Sequence, residues 1–431
     1  MEIFTSYNFI IEVSVVIILS FFFNEISKKT NIPSVLMLIV LGMLGQIGFQ
    51  AAGADTEMLK PALEILGIVG LIMIVLEAAL ELKLDKDKVW PILKALSIAF
   101  IGLMVSTYVA AYILVEFIDG MDQQKAWLYA TPISILSSAI IIPSVGGLKK
   151  KKKEFHVYES TFSDILGIIL FYYLTGQADA DAGSHGSGLA GYGLTVLLTI
   201  ILSFIASYVI VLIFQNIKSH TKLFLLIAVL LLLYAIGKLM HLSSLIIILI
   251  FGLVIANMQL FFRGWFAHWL DMKKAKEIYD GLHTITLETA FVVRTFFFVF
   301  FGLSITLASL LSLNVALVSL LIIASIYLIR FGILRLFLGQ DILPQLYIAP
   351  RGLITILLFY DIPDEAKVVG FDPGILLFII IGTSLIMTFA MISDKQKTGK
   401  AIRNAIGNPV GAEKWKVPSV TQIVENKNDK H

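Results

Sequence analysis

Cysteine is absent from the 431 residues, which excludes disulfides and thiolate metal sites and leaves the redox compartment unread. Charge is scarce. Only 15% of residues are Asp, Glu, Lys or Arg, whereas a soluble globular chain averages about 25%. Neither sign dominates: 33 basic residues against 31 acidic ones leave a formal charge of +2, so total charge points to no polyanionic partner, and no nucleic acid is expected. Long polar stretches are lacking too, which leaves no room for a domain outside the apolar runs. What fills the chain is hydrophobic, at 58% of residues and a mean hydropathy of +0.89. The first apolar run is one of many and does not resemble a cleavable leader.

A helix needs about 20 mainly apolar residues to cross roughly 30 Å of hydrocarbon. On that basis the sequence predicts an all-α polytopic membrane protein of about thirteen transmembrane helices. The spans fall near residues 8–26, 33–52, 62–82, 90–117, 126–148, 155–177, 189–216, 222–240, 243–262, 282–306, 308–336, 342–361 and 374–393. Residues 1–394 then form one transmembrane domain, and 395–431 a flexible polar tail containing Gly407-Asn408-Pro409. The loop Arg263 to Asp280 mixes Trp265, Phe266, Trp269 and Ile278 with Lys273, Lys274 and Lys276, and reads as an amphipathic helix in the interface.

Alternate loops differ sharply in charge. One set holds seventeen basic residues, among them Lys28, Lys29, Lys83 and the run Lys149 to Lys153; the other holds Lys60, Lys125, Lys238 and Lys367. The positive-inside rule then puts the N-terminus outside and the C-terminus in the cytoplasm, with the plasma membrane as the expected location.

Segments 5 and 12 are not smooth apolar helices. Segment 5 carries Pro132, Ser137, Ser138, Pro143 and Gly146-Gly147; segment 12 carries Pro344 and then Pro350, Arg351 and Gly352. Proline removes a backbone donor and clashes with the preceding turn. The polar groups it frees are tolerated at membrane depth only inside protein or along a cavity. The two segments are an odd number apart, so they run in opposite directions. Paired interrupted segments of inverted halves point to a transporter site near the midplane.

Each charge in such a setting needs a reason, since a charged residue at the bilayer centre costs about 2.5–3.5 kcal/mol on insertion scales. Segment 6 reads Tyr158-Glu-Ser-Thr-Phe-Ser-Asp164. At ~1.5 Å per residue Asp164 lies roughly 15 Å deep, with Ser160 one turn away on the same face. Burial of a lone carboxylate favours its protonated form. Protonated and cation-bound forms exclude one another on the same oxygens. A hard cation would take oxygens from Asp164, Ser160, Glu77 and freed carbonyls, with Ser138 and Ser163 as the adjoining hydroxyls. Glu159 points elsewhere, and Arg330 lies at a matching depth, so these two read as a structural ion pair. Glu81 reads as a solvated end residue of segment 3. Glu12, Glu288 and Arg294 read as structural pairing or snorkelling residues.

Together these strings resemble the monovalent cation:proton antiporter superfamily, in its NhaP-type and Kef-type branches. Asn31-Ile-Pro-Ser-Val-Leu36 resembles the family's second helix, and Val75-Leu-Glu-Ala-Ala-Leu-Glu81 its third. Glu159-Ser160-Thr-Phe-Ser163-Asp164 is similar to the G-E-S-x-x-N-D signature of the sixth. Phe298-Val-Phe-Phe-Gly302, Arg330 and Pro350-Arg351-Gly352 resemble later core elements. Two departures stand out. Leu136-Ser-Ser-Ala replaces the usual Thr-Asp-Pro, closer to the Kef-type L-S-S-T-A, and Ser163 stands where electrogenic relatives place an acid. The resemblance implies an inverted repeat with two crossed discontinuous helices, a homodimer, a mobile core, and Asp164 as the shared cation and proton carboxylate with Ser160 and Glu77 as further ligands. It implies electroneutral exchange of one monovalent cation, Na⁺ ahead of K⁺ or Li⁺, for one proton, with no cofactor.

Two other readings compete. A sodium-coupled symporter of an organic anion would use Arg351 or Arg294 to bind substrate. A membrane enzyme would need a polar cluster near an interface, but His185 and His241 stand isolated in short loops, so no enzymatic activity is expected.

Overall fold

A computed structural model of the chain describes residues 6–30, 32–51, 60–84, 86–181, 189–217, 222–239, 244–262, 271–304 and 312–407. The described residues are helices joined by short connections, with no strand among them. In order they form α1 (Ser6–Thr30), α2 (Ser34–Ala51), α3 (Lys60–Glu81), α4 (Val89–Phe117), α5 (Gln123–Ser134), α6 (Ser138–Ser144), α7 (Lys150–Asp181) and α8 (Leu189–Phe214). There follow α9 (Lys222–Leu239), α10 (Ser244–Ala256), the short α11 (Met258–Phe261), α12 (Met272–Ser304), α13 (Leu313–Leu338), α14 (Leu353–Tyr360) and α15 (Gly374–Gly407). Each expected segment contains helix, and eight stretches are long and apolar enough on their own to cross a membrane.

Burial separates a centre from a rim. In the stretch 123–147, 78% of the most apolar window is buried, against 6% in α1 and 22% in α9. The outer helices present Phe224, Leu328 and Phe389 outward, as a lipid-facing surface does, while α3 and α10 bury nearly continuous runs against each other. Helices α2 and α12 approach closely at two glycines. A Cβ on Gly42 would meet the Val299 carbonyl and come within 2.9 Å of the Gly302 Cα, so only glycine allows this packing.

Several boundaries differ from the sequence reading. Residues 263–270 of the expected interfacial helix lie outside the described residues, as do His185 and His241. From Met272 onward that stretch is the first turns of α12, because its apolar positions continue the face that α12 buries at Ala275, Ile278 and Leu282. Helix α15 runs on to Gly407, beyond the expected start of the tail. The ninth segment is interrupted at Asn257, between α10 and α11, and the Asn257 side chain donates to the Leu82 carbonyl at 2.8 Å and accepts from the Leu84 N–H at 2.6 Å. Those bonds close the frayed end of α3, and no apolar count could reveal them.

Candidate ion-exchange site

Interruption of segment 5 comes at Ile135–Ser137, three residues past Pro132, not at a proline. Segment 12 is less helical than expected. A 3₁₀ turn at Gln345–Tyr347 leads into extended chain up to Gly352, and helix resumes at Leu353. The two breaks lie against one another. The Ser137 N–H donates to the Pro350 carbonyl at 3.0 Å, and the Leu136 N–H donates to Ser163 Oγ at 2.9 Å. Arg351 Nε takes the Ile133 carbonyl at 2.7 Å, Nη1 takes Ala349, and the Arg351 N–H bonds Thr383 Oγ1. The backbone groups freed by the interruptions are thus answered by neighbouring segments, as burial in an apolar interior demands. Gly352 makes the approach possible: a Cβ there would collide with Ser137, whose Cβ would be 2.9 Å away.

Asp164 sits behind this junction on α7, 2% exposed, with neither carboxylate oxygen hydrogen-bonded among the described residues. The hydroxyl and N–H of Ser138, at the start of α6, and the charge of Glu77 act on it; the Ser138 groups stop short of hydrogen-bond geometry. Ser160, fully buried one turn below, returns its hydroxyl proton to the His156 carbonyl at 2.7 Å and keeps oxygen lone pairs free. Ser163 Oγ accepts from the Leu136 N–H, which ties α7 to the interruption of segment 5. Pro143 lies inside α6 and, with Ser138, lines a large cavity.

Glu159 and Arg330 meet in a bidentate pair at 2.7 and 2.9 Å, 1% and 9% exposed at the side chain. Arg330 also donates twice to the Gln345 carbonyl, at 3.1 and 3.0 Å. The pair therefore clamps the 3₁₀ turn of segment 12 onto α7. His156, which the sequence reading missed, lies fully buried with Nδ1 3.4 Å from Glu159 Oε2. Its position three residues before Glu159 on one helix was the available signal.

The cavity of about 270 Å³ is bounded by α1, α2, α3, α6 and α12. Its wall comes from the ends of these segments that adjoin Lys28, Lys83 and the run Lys149 to Lys153. Glu77 lines it and is paired there, to Arg294 Nη2 at 2.7 Å. Glu81 is not simply solvated; it lines the same cavity and lies 3.1 Å from His283 Nε2. Glu12 and Glu288 lie on exposed faces of α1 and α12. A buried acceptor pair without a hydrogen bond among the described residues, a serine between it and the cavity and neutral oxygens nearby can hold either a proton or a small cation.

A structure of the sodium proton antiporter MjNhaP1 from Methanocaldococcus jannaschii at pH 8 is similar, with a TM-score of 0.63 and 20% identity, covering 89% of this chain and 94% of that one. A second structure of that antiporter, an electron-microscopy map, gives 0.60 and 20%, covering 96% and 100%. No protein of curated function matches by sequence. The model of the transmembrane sodium/hydrogen exchanger family matches residues 14–393, and the symporter alternative finds no support in it. Spanning nearly the whole helical body, that match makes the chain a member of the sodium/hydrogen exchanger family, a membrane protein that exchanges cations for protons.

Proposed function

We propose that Asp164 is the carboxyl at which Na⁺ and H⁺ compete, with Ser138, Ser160 and freed backbone carbonyls completing the cation's oxygen shell; K⁺ and Li⁺ would use the same ligand types. The single observation that carries this is a buried carboxylate that makes no hydrogen bond among the described residues, next to two interrupted segments. A structural acid in that position would be expected to have donors, as Glu159 does. Alternating access would expose Asp164 first through the cavity beside Ser138 and then from the opposite face. The breaks of segments 5 and 12 would belong to a mobile core of crossed helices in an inverted repeat.

By the loop charges, that cavity opens to the cytoplasm and the N-terminus lies outside; the plasma membrane is the location that goes with this reading. Residues 1–394 act as the antiporter domain and the rest as a cytoplasmic tail. A homodimer and thirteen crossings accompany this reading, and no enzymatic step is required by it. The test is proton flux in proteoliposomes after an imposed Na⁺ gradient. Asp164→Asn should abolish flux while the protein elutes and melts as the wild type does; full flux in that variant ends the proposal.

A further inference from the structure

Two arginine–carboxylate pairs in this molecule, one buried and one half-buried, are built differently. Arg330 holds Glu159 with two nitrogens and a backbone carbonyl with two more bonds. Arg294 holds Glu77 by one contact through Nη2, and its buried Nε has no partner among the described residues. A bidentate fork gives geometric rigidity that a single contact lacks. The Glu77–Arg294 pair also has somewhere to move. Both residues line the 270 Å³ cavity, and their side chains keep 16% and 17% exposure. The same cavity leads to Ser138, the serine acting on Asp164.

Glu77 is thus a cavity-lining carboxylate whose charge is felt at Asp164, and a guanidinium already holds it. Arg294 holds only Oε2 of Glu77, but a cation arriving at the same carboxylate would stand beside the guanidinium, and the two positive charges repel one another over one negative charge. We propose that Arg294 is a resident counter-ion that competes with the transported cation for Glu77 and so sets the apparent affinity of the cavity side. When the site is empty, Arg294 neutralises Glu77. An arriving cation takes Glu77, and Arg294 turns into the cavity, where its unpartnered Nε and the surrounding neutral oxygens leave it free to rearrange. Departure of the cation lets the pair reform. This counter-ion role rests on the exchange reading above, and makes Arg294 an affinity-determining residue outside the Asp164 site itself.

Initial rates of Na⁺-driven proton flux in proteoliposomes, against Na⁺ concentration on the cavity side, separate this from a structural clasp. Arg294→Gln should lower the KM for Na⁺ about fivefold or more, within the usual span of coupling between sites, without raising kcat. Glu77→Gln should raise KM, and adding Arg294→Gln to it should then leave KM unchanged. An unchanged or raised KM in Arg294→Gln overturns the proposal. Should that variant not fold, the wild type gives the second readout. Phenylglyoxal modification of Arg294, mapped by mass spectrometry, should rise with Na⁺ while Arg330 stays unreactive. Na⁺-independent labelling of Arg294 refutes the exchange of partners. A wild type without Na⁺-driven flux would instead sink the exchange reading and the counter-ion role with it, whereas exchange with unaltered KM removes only the latter.

Discussion

Arg351 donates its Nε hydrogen to the carbonyl of Ile133, the backbone acceptor that loses its helical donor when the Ser137 N–H turns to Pro350. One side chain of segment 12 therefore repairs the interruption of segment 5, while the backbone of segment 12 repairs it from the other side. The guanidinium is 2% exposed as a residue, and no carboxylate among the described residues lies within ion-pair distance. Its bonds run to carbonyl oxygens instead.

From this geometry Arg351→Met should destabilise the protein by about 1–3 kcal/mol, the range for leaving a buried acceptor without a donor. Thermal melting in detergent, read by loss of monodisperse protein, checks it. A variant as stable as the wild type would show that the Ile133 carbonyl finds another donor.

Gly352 gives a sharper steric expectation. Gly352→Ala places a methyl against Ser137, and overpacking of this kind costs about 1–3 kcal/mol. Ser137→Gly in the same chain removes both clashing atoms and should recover part of the loss. Independent, additive effects in the double variant would argue against the contact.

Removing Glu159 or Arg330 alone should cost about 3–5 kcal/mol, because the survivor is a buried charge without its partner. The losses should be unequal. Arg330→Met also strips the Gln345 carbonyl of two donors, so it should be the more damaging, and the double replacement should recover less than an isolated pair would. A double-mutant cycle in thermal stability with no coupling excludes the pairing.

Much of this was legible in the residues, for identifiable reasons. Bilayer thickness makes each apolar run a length measurement, which is why helix occurs in each expected segment. The Glu159–Arg330 contact is legible because depth along a helix follows from residue count and the signs are opposite. Depth, however, says nothing about direction around a helix. Glu77 and Arg294 sit on α3 and α12, more than two hundred positions apart, and no count along either helix shows that they face each other. The break at Ile135–Ser137 was misplaced onto prolines for a related reason. It is held by groups from elsewhere, namely Ser163, Pro350 and Arg351, and such partners have no local signature.

Stoichiometry follows from which buried acids remain without a counter-charge. Glu159 is matched by Arg330 and Glu77 by Arg294, and Ser163 stands beside Asp164 where a second acid would be needed for a second proton. Ser163 is moreover committed to the Leu136 N–H. One carboxyl that trades one proton for one monovalent cation moves no net charge. Exchange should therefore be electroneutral and indifferent to membrane potential, whereas each net charge carried would feel about 2.3 kcal/mol per 100 mV. Flux measured in proteoliposomes with the potential clamped by potassium and valinomycin, with Na⁺ as the driving ion, should give the same rate at zero and at strongly negative potential. A steep rise with potential would mean that a second charge crosses with each turnover. Glu77 would then be the group to suspect, because only its partner Arg294 is held loosely enough to release it.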